Sequence, residues 1–231
     1  MSIQERFIEG QVILIDKDYK WTSFDVVNKI RWIINKQLGI KKIKAGHAGT
    51  LDPLATGLVI VCTGKSTKRV DEFTQLEKEY VFKMKLGETT PSFDLETEVS
   101  FVNDPANINL DQIKSVASKF IGGIMQIPPM FSAKYICGTR AYEFARKGII
   151  IEMDPIPVKI IDLEIQQFNN PYVTIRVVCS KGTYIRSLVR DMGQDLGCGA
   201  YLTELRRTAI GKYHVNTALT IAEFENKIHS L

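Results

Sequence analysis

Apolar and polar positions along this chain follow two periods. Phe24, Val27, Ile30, Ile34 and Leu38 recur every three or four residues, after a Thr22/Asp25 pair and before Gly39. That spacing predicts a helix over 23–38, opened by a capping box and stopped by glycine. The same period marks helices over 110–121 (Leu110, Ile113, Val116, Ala117, Phe120) and 183–196 (Ile185, Leu188, Val189, Met192, Leu196), the latter ended by Gly197. Shorter helices are predicted near 64–75, 141–147, 201–207 and 220–229. Period-two alternation puts Tyr80, Phe82, Met84 and Leu86 on one face of a strand, and Val173, Ile175, Val177 and Cys179 on another. Further strands are predicted at 11–15, 58–62, about 97–102, 156–168 and 209–215. Residues 40–57 and 87–98 read as loops, and 122–140, broken by Gly and Pro, as an ordered loop or short strands. Strands that come singly and in hairpin-like pairs, between helices of uneven length, point to an α+β fold with a mixed sheet rather than a βαβ repeat.

A length of 231 residues with 45% apolar and 24% charged residues suits a globular protein with a sizeable core. No apolar run reaches the ~18–20 residues that span a bilayer, and the N-terminal MSIQERFIEGQ lacks the plan of a secretory signal. Cys62, Cys137, Cys179 and Cys198 are far apart among apolar or small neighbours, which predicts reduced thiols and a cytoplasmic protein. The net charge of +4 says less than its distribution. Residues 26–51, 165–190 and 205–222 carry bases and no acid, whereas 71–118 holds ten acids against four bases. Such segregation suits one polyanion-facing side, and equally a chance clustering of solvated lysines.

The chemistry concentrates in GHAGTLDPLATG, residues 46–57. Asp-Pro after Gly-Thr-Leu is a common turn opening. Yet Gly46, Gly49 and Gly57 permit unusual backbone geometry, Pro53 disfavours helix at Asp52, and an apolar strand follows at once. A loop of this kind can present one carboxylate rigidly at the rim of a sheet. His47 lies outside any helical face, and His214 and His229 are remote, so no metal ligand set forms and no metal is expected. GxSxG and GxGxxG are absent, and TGKST at 63–67 lacks the first glycine of a phosphate-binding loop, so no nucleotide cofactor is implied.

GHAGTLDPLATGLVIVCTGKSTK closely resembles the signature of the TruB family, bacterial tRNA pseudouridine synthases that isomerise a T-loop uridine. EKEYVFKMKLGETTPSFD, QIPPMFSAKYICGTRAYEFARKG, CSKGTYIRSLVRDMGQDLG and AYLTELRRTAIGKY resemble the family's later blocks, in family order. The resemblance implies a central mixed, mainly antiparallel sheet flanked by helices, with an RNA-binding cleft across it. It implies one catalytic domain over 1–231 with an RNA-contacting insertion at about 122–150. On these residues it implies that Asp52 is the essential aspartate, Tyr80 stacks on the target base, and Arg186 pairs with the carboxylate. His47 would help to insert the loop and replace the flipped base. With the basic tracts, the RNA-contacting set is His47, Lys44, Lys134, Arg140, Lys181, Tyr184, Arg206 and Arg207. The partner is the T-arm of tRNA, no cofactor is needed, and a monomer is expected.

The chain departs from the family pattern in two places. DKDYKWTS, residues 16–23, stands where the family usually has a DKPxGxTS-like segment, which affects a turn rather than the chemistry. The sequence also ends about twenty residues after its last motif, so no C-terminal PUA-type domain is expected. A tRNA chaperone using the same cleft without catalysis is an alternative function. A hydrolase built on Asp52 and Asp94 is a third.

Overall fold

The computed structural model describes residues 1–132, 134–136 and 138–230, so Cys137 lies outside the described residues. In chain order the elements are α1 (Ile3–Glu9), β1 (Val12–Lys17), α2 (Ser23–Leu38), β2 (Ala45–Ala48), β3 (Thr56–Thr63), α3 (Val70–Gln75) and β4 (Lys78–Leu86). There follow β5 (Glu88–Thr89), β6 (Ser100–Phe101), α4 (Leu110–Lys119), β7 (Gly122–Gln126), β8 (Tyr135–Ile136), β9 (Thr139–Arg140) and α5 (Ala141–Arg146). The chain closes with β10 (Ile156–Asn169), β11 (Tyr172–Cys179), α6 (Ile185–Asp195), β12 (Ala200–Ile210), β13 (Tyr213–His214) and α7 (Ile221–His229).

They form two compact units, one of residues 1–80 with 205–231, the other of 81–204. In the first, β3 is the central strand. It takes β1 antiparallel on one edge (Val12 opposite Cys62, Lys17 opposite Gly57). Its other edge takes β2 antiparallel (Ala45 opposite Thr63, Ala48 opposite Ile60) and β12 in parallel at Arg206 and Arg207. Every residue of β3 from Gly57 onward is buried, because a sheet interior covered on both faces needs a continuous apolar run. Ala48, Leu58, Ile60, Cys62, Phe73 and Ile210 pack together on one face. In the second unit the strand order is β4-β11-β10-β7, with β10 antiparallel to both β11 and β7. The result is an α+β fold with mixed, mainly antiparallel strand pairing and flanking helices. Among the described residues no helix is long and apolar enough to cross a membrane.

The locally encoded helices stand where their pattern puts them. α2 opens with the Thr22/Asp25 capping box and ends at Gly39 in the left-handed region, φ 68°. Its buried stripe is rotated from the expected one, however. Ser23, Val26, Val27, Ile30, Ile33 and Ile34 are buried, while Phe24 is 58% exposed. Ser23 turns inward because its hydroxyl serves the backbone of Leu51. Three expectations change. Residues 201–207, read as a helix, belong to the eleven-residue strand β12, whose Leu202 and Leu205 mimic helical spacing. The strand expected at 209–215 divides between the end of β12 and the two-residue β13. The loop 40–57 contains β2, too short and too small in side chain to show a period. α1 was not expected at all, although Ser2 and Glu5 form its capping box.

Candidate active-site loop and its supports

The hairpin connection between β2 and β3, residues 49–55, carries Asp52. A seven-residue loop is a loose object unless its backbone groups find partners, and here they do. The guanidinium of Arg207 donates to the carbonyls of Gly49 (3.1 Å), Thr50 (3.4 Å) and Leu58 (2.7 Å). The Leu51 N–H donates to Ser23 Oγ at 2.8 Å, and that hydroxyl donates to the Leu51 carbonyl at 3.3 Å. The Asp52 carbonyl accepts from the Ala55 N–H at 3.1 Å, and the Pro53 carbonyl from the Lys20 N–H at 2.9 Å. The backbone is thus held on both sides of a half-buried aspartate.

Two of the three glycines are required, for different reasons. Gly49 sits at φ +84°, and Gly57 at φ +107°, where a Cβ would lie 2.3 Å from the Arg207 carbonyl oxygen. Gly46 has an ordinary strand conformation, and a Cβ there would meet only Val70 Cγ2, at an ordinary contact distance of 3.9 Å.

Lys17 is the support that sequence reasoning missed. It is 1% exposed, and its ammonium donates to the carbonyls of Trp21 (2.6 Å), Asp18 (3.0 Å) and Pro53 (3.4 Å). Burial pushes its pKa down from an ordinary 10.5 to about 8, with the Asp52 charge acting in the opposite direction. That attraction is mutual, so the ammonium favours an ionised Asp52. The alternating pattern of β1 was the available signal, since it places Lys17 on the same face as Ile13 and Ile15. Between pH 8 and 10.5 the unfolded chain holds the Lys17 proton more tightly than the folded one, so this group adds stability as pH rises through that window. The urea-measured stability of wild type relative to Lys17→Met is therefore expected to grow, by on the order of 1–2 kcal/mol, from pH 7.5 to 9.5. A difference that stays flat contradicts a buried, depressed ammonium.

The same corner resolves the DKDYKWTS departure. Lys20 adopts φ +67°, the left-handed region that glycine favours, and the turn keeps its bond to Pro53. A left-handed non-glycine residue costs roughly 1 kcal/mol, so Lys20→Gly is expected to raise the urea midpoint. An unchanged or lower midpoint would show that the turn carries no such strain.

Of the remaining expected site residues in this unit, His47 is half-buried on β2. Burial first, then the nearby Arg207 charge, lowers its pKa and keeps the ring neutral at physiological pH. Lys44 is exposed just before β2. Arg206 forms a two-pronged ion pair with Asp16, 3.0 and 2.6 Å, and also reaches Thr56 Oγ1 at 3.3 Å. Arg207, expected to touch RNA, is 1% exposed and spends its guanidinium on backbone carbonyls of the loop and of β3, so it is buried rather than on the surface. Tyr80 lies on β4, 8% exposed, on the same face as Phe82, Met84 and Leu86.

In the second unit Arg186 occupies the second position of α6 and is 4% exposed. Its Nη1 lies 3.6 Å from Asp94 Oδ2 and donates to the Ser92 carbonyl at 3.4 Å. Asp94, 5% exposed, belongs to a turn that bonds to itself. Thr90 Oγ1 donates to the Asp94 carbonyl at 2.6 Å, Ser92 N–H to Thr97 Oγ1 at 3.0 Å, and Glu96 N–H to Asp94 Oδ1 at 2.9 Å. The segment read as a polar connection is therefore an ordered cradle for Arg186. Its run of Thr, Ser and Asp was the visible sign. Asp94 is committed to this buried ion pair, which gives it a supporting role rather than half of a hydrolase pair. Tyr184 precedes α6 and Lys181 is exposed nearby. Lys134 and Arg140 sit at the β8–β9 hairpin, where the Arg140 guanidinium stacks 3.8 Å over the Tyr135 ring.

Comparisons with known proteins bear on both units. Residues 35–185 match the model described as TruB family pseudouridylate synthase (N terminal domain), and residues 186–230 that of the tRNA pseudouridylate synthase B C-terminal domain. The chain is 50% identical to a tRNA pseudouridine synthase B of Parabacteroides distasonis over 220 residues, covering 95% of this chain and 94% of that one. It is 48% identical to that of Flavobacterium johnsoniae, covering 97% and 98%. Among solved structures it is similar to an archaeal box H/ACA sRNP Nop10–Cbf5 complex (TM-score 0.72, 28% identity), covering 99% of this chain but only 57% of that one. An H/ACA RNP bound to a substrate RNA containing 2′-deoxyuridine gives a TM-score of 0.69 at 29% identity, over 98% of this chain and 55% of that one.

Proposed function

The chain belongs to the TruB family of pseudouridylate synthases, and from that premise we propose that it isomerises one T-loop uridine of tRNA to pseudouridine with Asp52 as the acting carboxylate. The observation that carries this reading is the Asp52 loop, whose backbone is fastened by Arg207, Ser23 and Lys20 on either side of the carboxylate. The reaction breaks the N1–C1′ bond, turns the uracil and joins C5 to C1′. The C5 proton goes to solvent and N1 gains one, so electrons balance without a redox partner.

A uridine in a folded T-loop has to leave its stack first, at a cost of a few kcal/mol. Tyr80 returns roughly 1–3 kcal/mol by stacking on the flipped base, and His47 enters the space that the base vacates. Its neutral ring suits that role better than a charged one. Asp52 acts in its ionised form, whether it attacks carbon or removes a proton, and Arg186 supports that form. The guanidinium has five donors in a rigid fork, enough for Asp94 and a second carboxylate. Lys44, Lys134, Arg140, Lys181 and Arg206 contact phosphates, which positions the RNA without reading its sequence. The insertion and the cleft read the shape of the T-arm. The enzyme works as a cytoplasmic monomer, and the burial of the Cys62, Cys179 and Cys198 thiols fits a reducing compartment.

The test is a tRNA transcript carrying tritium at uridine C5. The protein is expected to release one equivalent of tritium per tRNA while the RNA keeps its length. Release of none, with tRNA still bound and refolded, would establish the chaperone reading instead.

A further inference from the structure

We propose that Gln126 is a positioning residue that locks the start of α6, and with it Arg186, to the base of the insertion. This inference rests on the pseudouridine synthase reading given above. Four helices, α1, α2, α4 and α7, open with capping boxes made by their own residues Ser2, Thr22, Asn109 and Thr220. α6, which carries Arg186 in its first turn, has no side-chain cap from its N-cap residue Tyr184. In a capping box the backbone N–H of the N-cap residue is held by a side chain three positions on. At α6 that N–H is held from outside the helix, by Gln126 Oε1 at 2.8 Å.

The same amide uses its other end as well. Gln126 Nε2 donates to the Tyr184 carbonyl at 3.1 Å. Gln126 thereby pairs with both backbone groups of Tyr184, as a neighbouring strand residue would. It is fully buried, so neither bond competes with water. One residue on, the Ile127 carbonyl accepts from Ser187 Oγ at 2.8 Å and from Arg190 Nη2 at 3.1 Å. Four hydrogen bonds thus tie residues 126 and 127 to the first two turns of α6.

Where Gln126 stands in the chain gives this clamp its consequence. It ends β7 and lies opposite Ile156, the first residue of β10. The chain leaves the sheet after Gln126 and rejoins it at Ile156. The insertion's base and the helix bearing Arg186 are one fastened piece. An insertion seated wrongly on RNA therefore also misplaces the guanidinium, and a misplacement of about 1 Å can cost on the order of 10²-fold in rate.

Gln126→Leu removes both bonds at similar volume, and Gln126→Glu keeps the acceptor while setting a carboxylate oxygen against the Tyr184 carbonyl. Both are measured for single-turnover pseudouridine formation, tRNA Kd and thermal midpoint. The expected result is a rate loss of about 10-fold or more in Gln126→Leu, with Kd changed less than about 3-fold. Gln126→Glu should lose rate in the same way, which keeps the test open if the Leu variant folds poorly. A rate like that of wild type in either folded variant, or a loss carried wholly by Kd, overturns the inference. A wild type that makes no pseudouridine removes the reading on which it rests.

Discussion

Replacing Asp52 by Asn is expected to lower the single-turnover rate of pseudouridine formation by about 10⁴-fold or more while leaving tRNA affinity within about 3-fold of wild type. The large rate effect follows from chemistry. An amide has almost the shape of the carboxylate, but it is a poor base and a poor nucleophile. The small binding effect follows from the structure. The backbone of the loop is held by Arg207, Ser23, Lys17 and Lys20, none of which uses the Asp52 side chain for its bond to the loop. The Asn variant should therefore present the same surface to RNA. Equal losses in rate and affinity would mean that Asp52 binds rather than reacts.

The second large effect is expected at Arg207, with a different signature. Arg207→Met leaves the carbonyls of Gly49, Thr50 and Leu58 without the donor that now serves them. The Leu58 bond is the buried one of the three, and a buried carbonyl left unpaired costs about 1–3 kcal/mol, so a loss of about 2 kcal/mol in urea-measured stability is expected. The rate should fall with it, because Asp52 loses its platform. The salt dependence of tRNA binding should not change, since a buried guanidinium touches no phosphate. Lys44→Ala, at an exposed cation, should instead reduce the slope of log K against log salt by about one and leave stability alone. If Arg207→Met kept its stability and lost that unit of slope, the basic-tract reading of Arg207 would be restored.

That contrast shows where the sequence was legible. Helices α2, α4, α6 and α7 are written locally, in apolar spacing and, in all but α6, in capping residues, and all four lie where expected. The alternation in β4 and β11 is equally local. β12 was not legible, because Arg207 looks like a surface charge until the carbonyls about 150 residues earlier come beside it. Arg186 and Asp94 lie 92 positions apart, and no local pattern links them. Lys17 was hidden for a related reason: its partners are backbone carbonyls, which every residue has. The Asp52 loop itself was conspicuous, since glycines, Asp and Pro rarely combine in front of a buried strand. What supports it became visible only once the chain was folded.

Mapping pseudouridine, base by base, in an unmodified tRNA transcript treated with the wild-type protein decides whether this enzyme isomerises the T-loop uridine. One new pseudouridine is expected, in the T-loop, formed to completion. A transcript with no pseudouridine, or with pseudouridine only outside the T-loop, would contradict it.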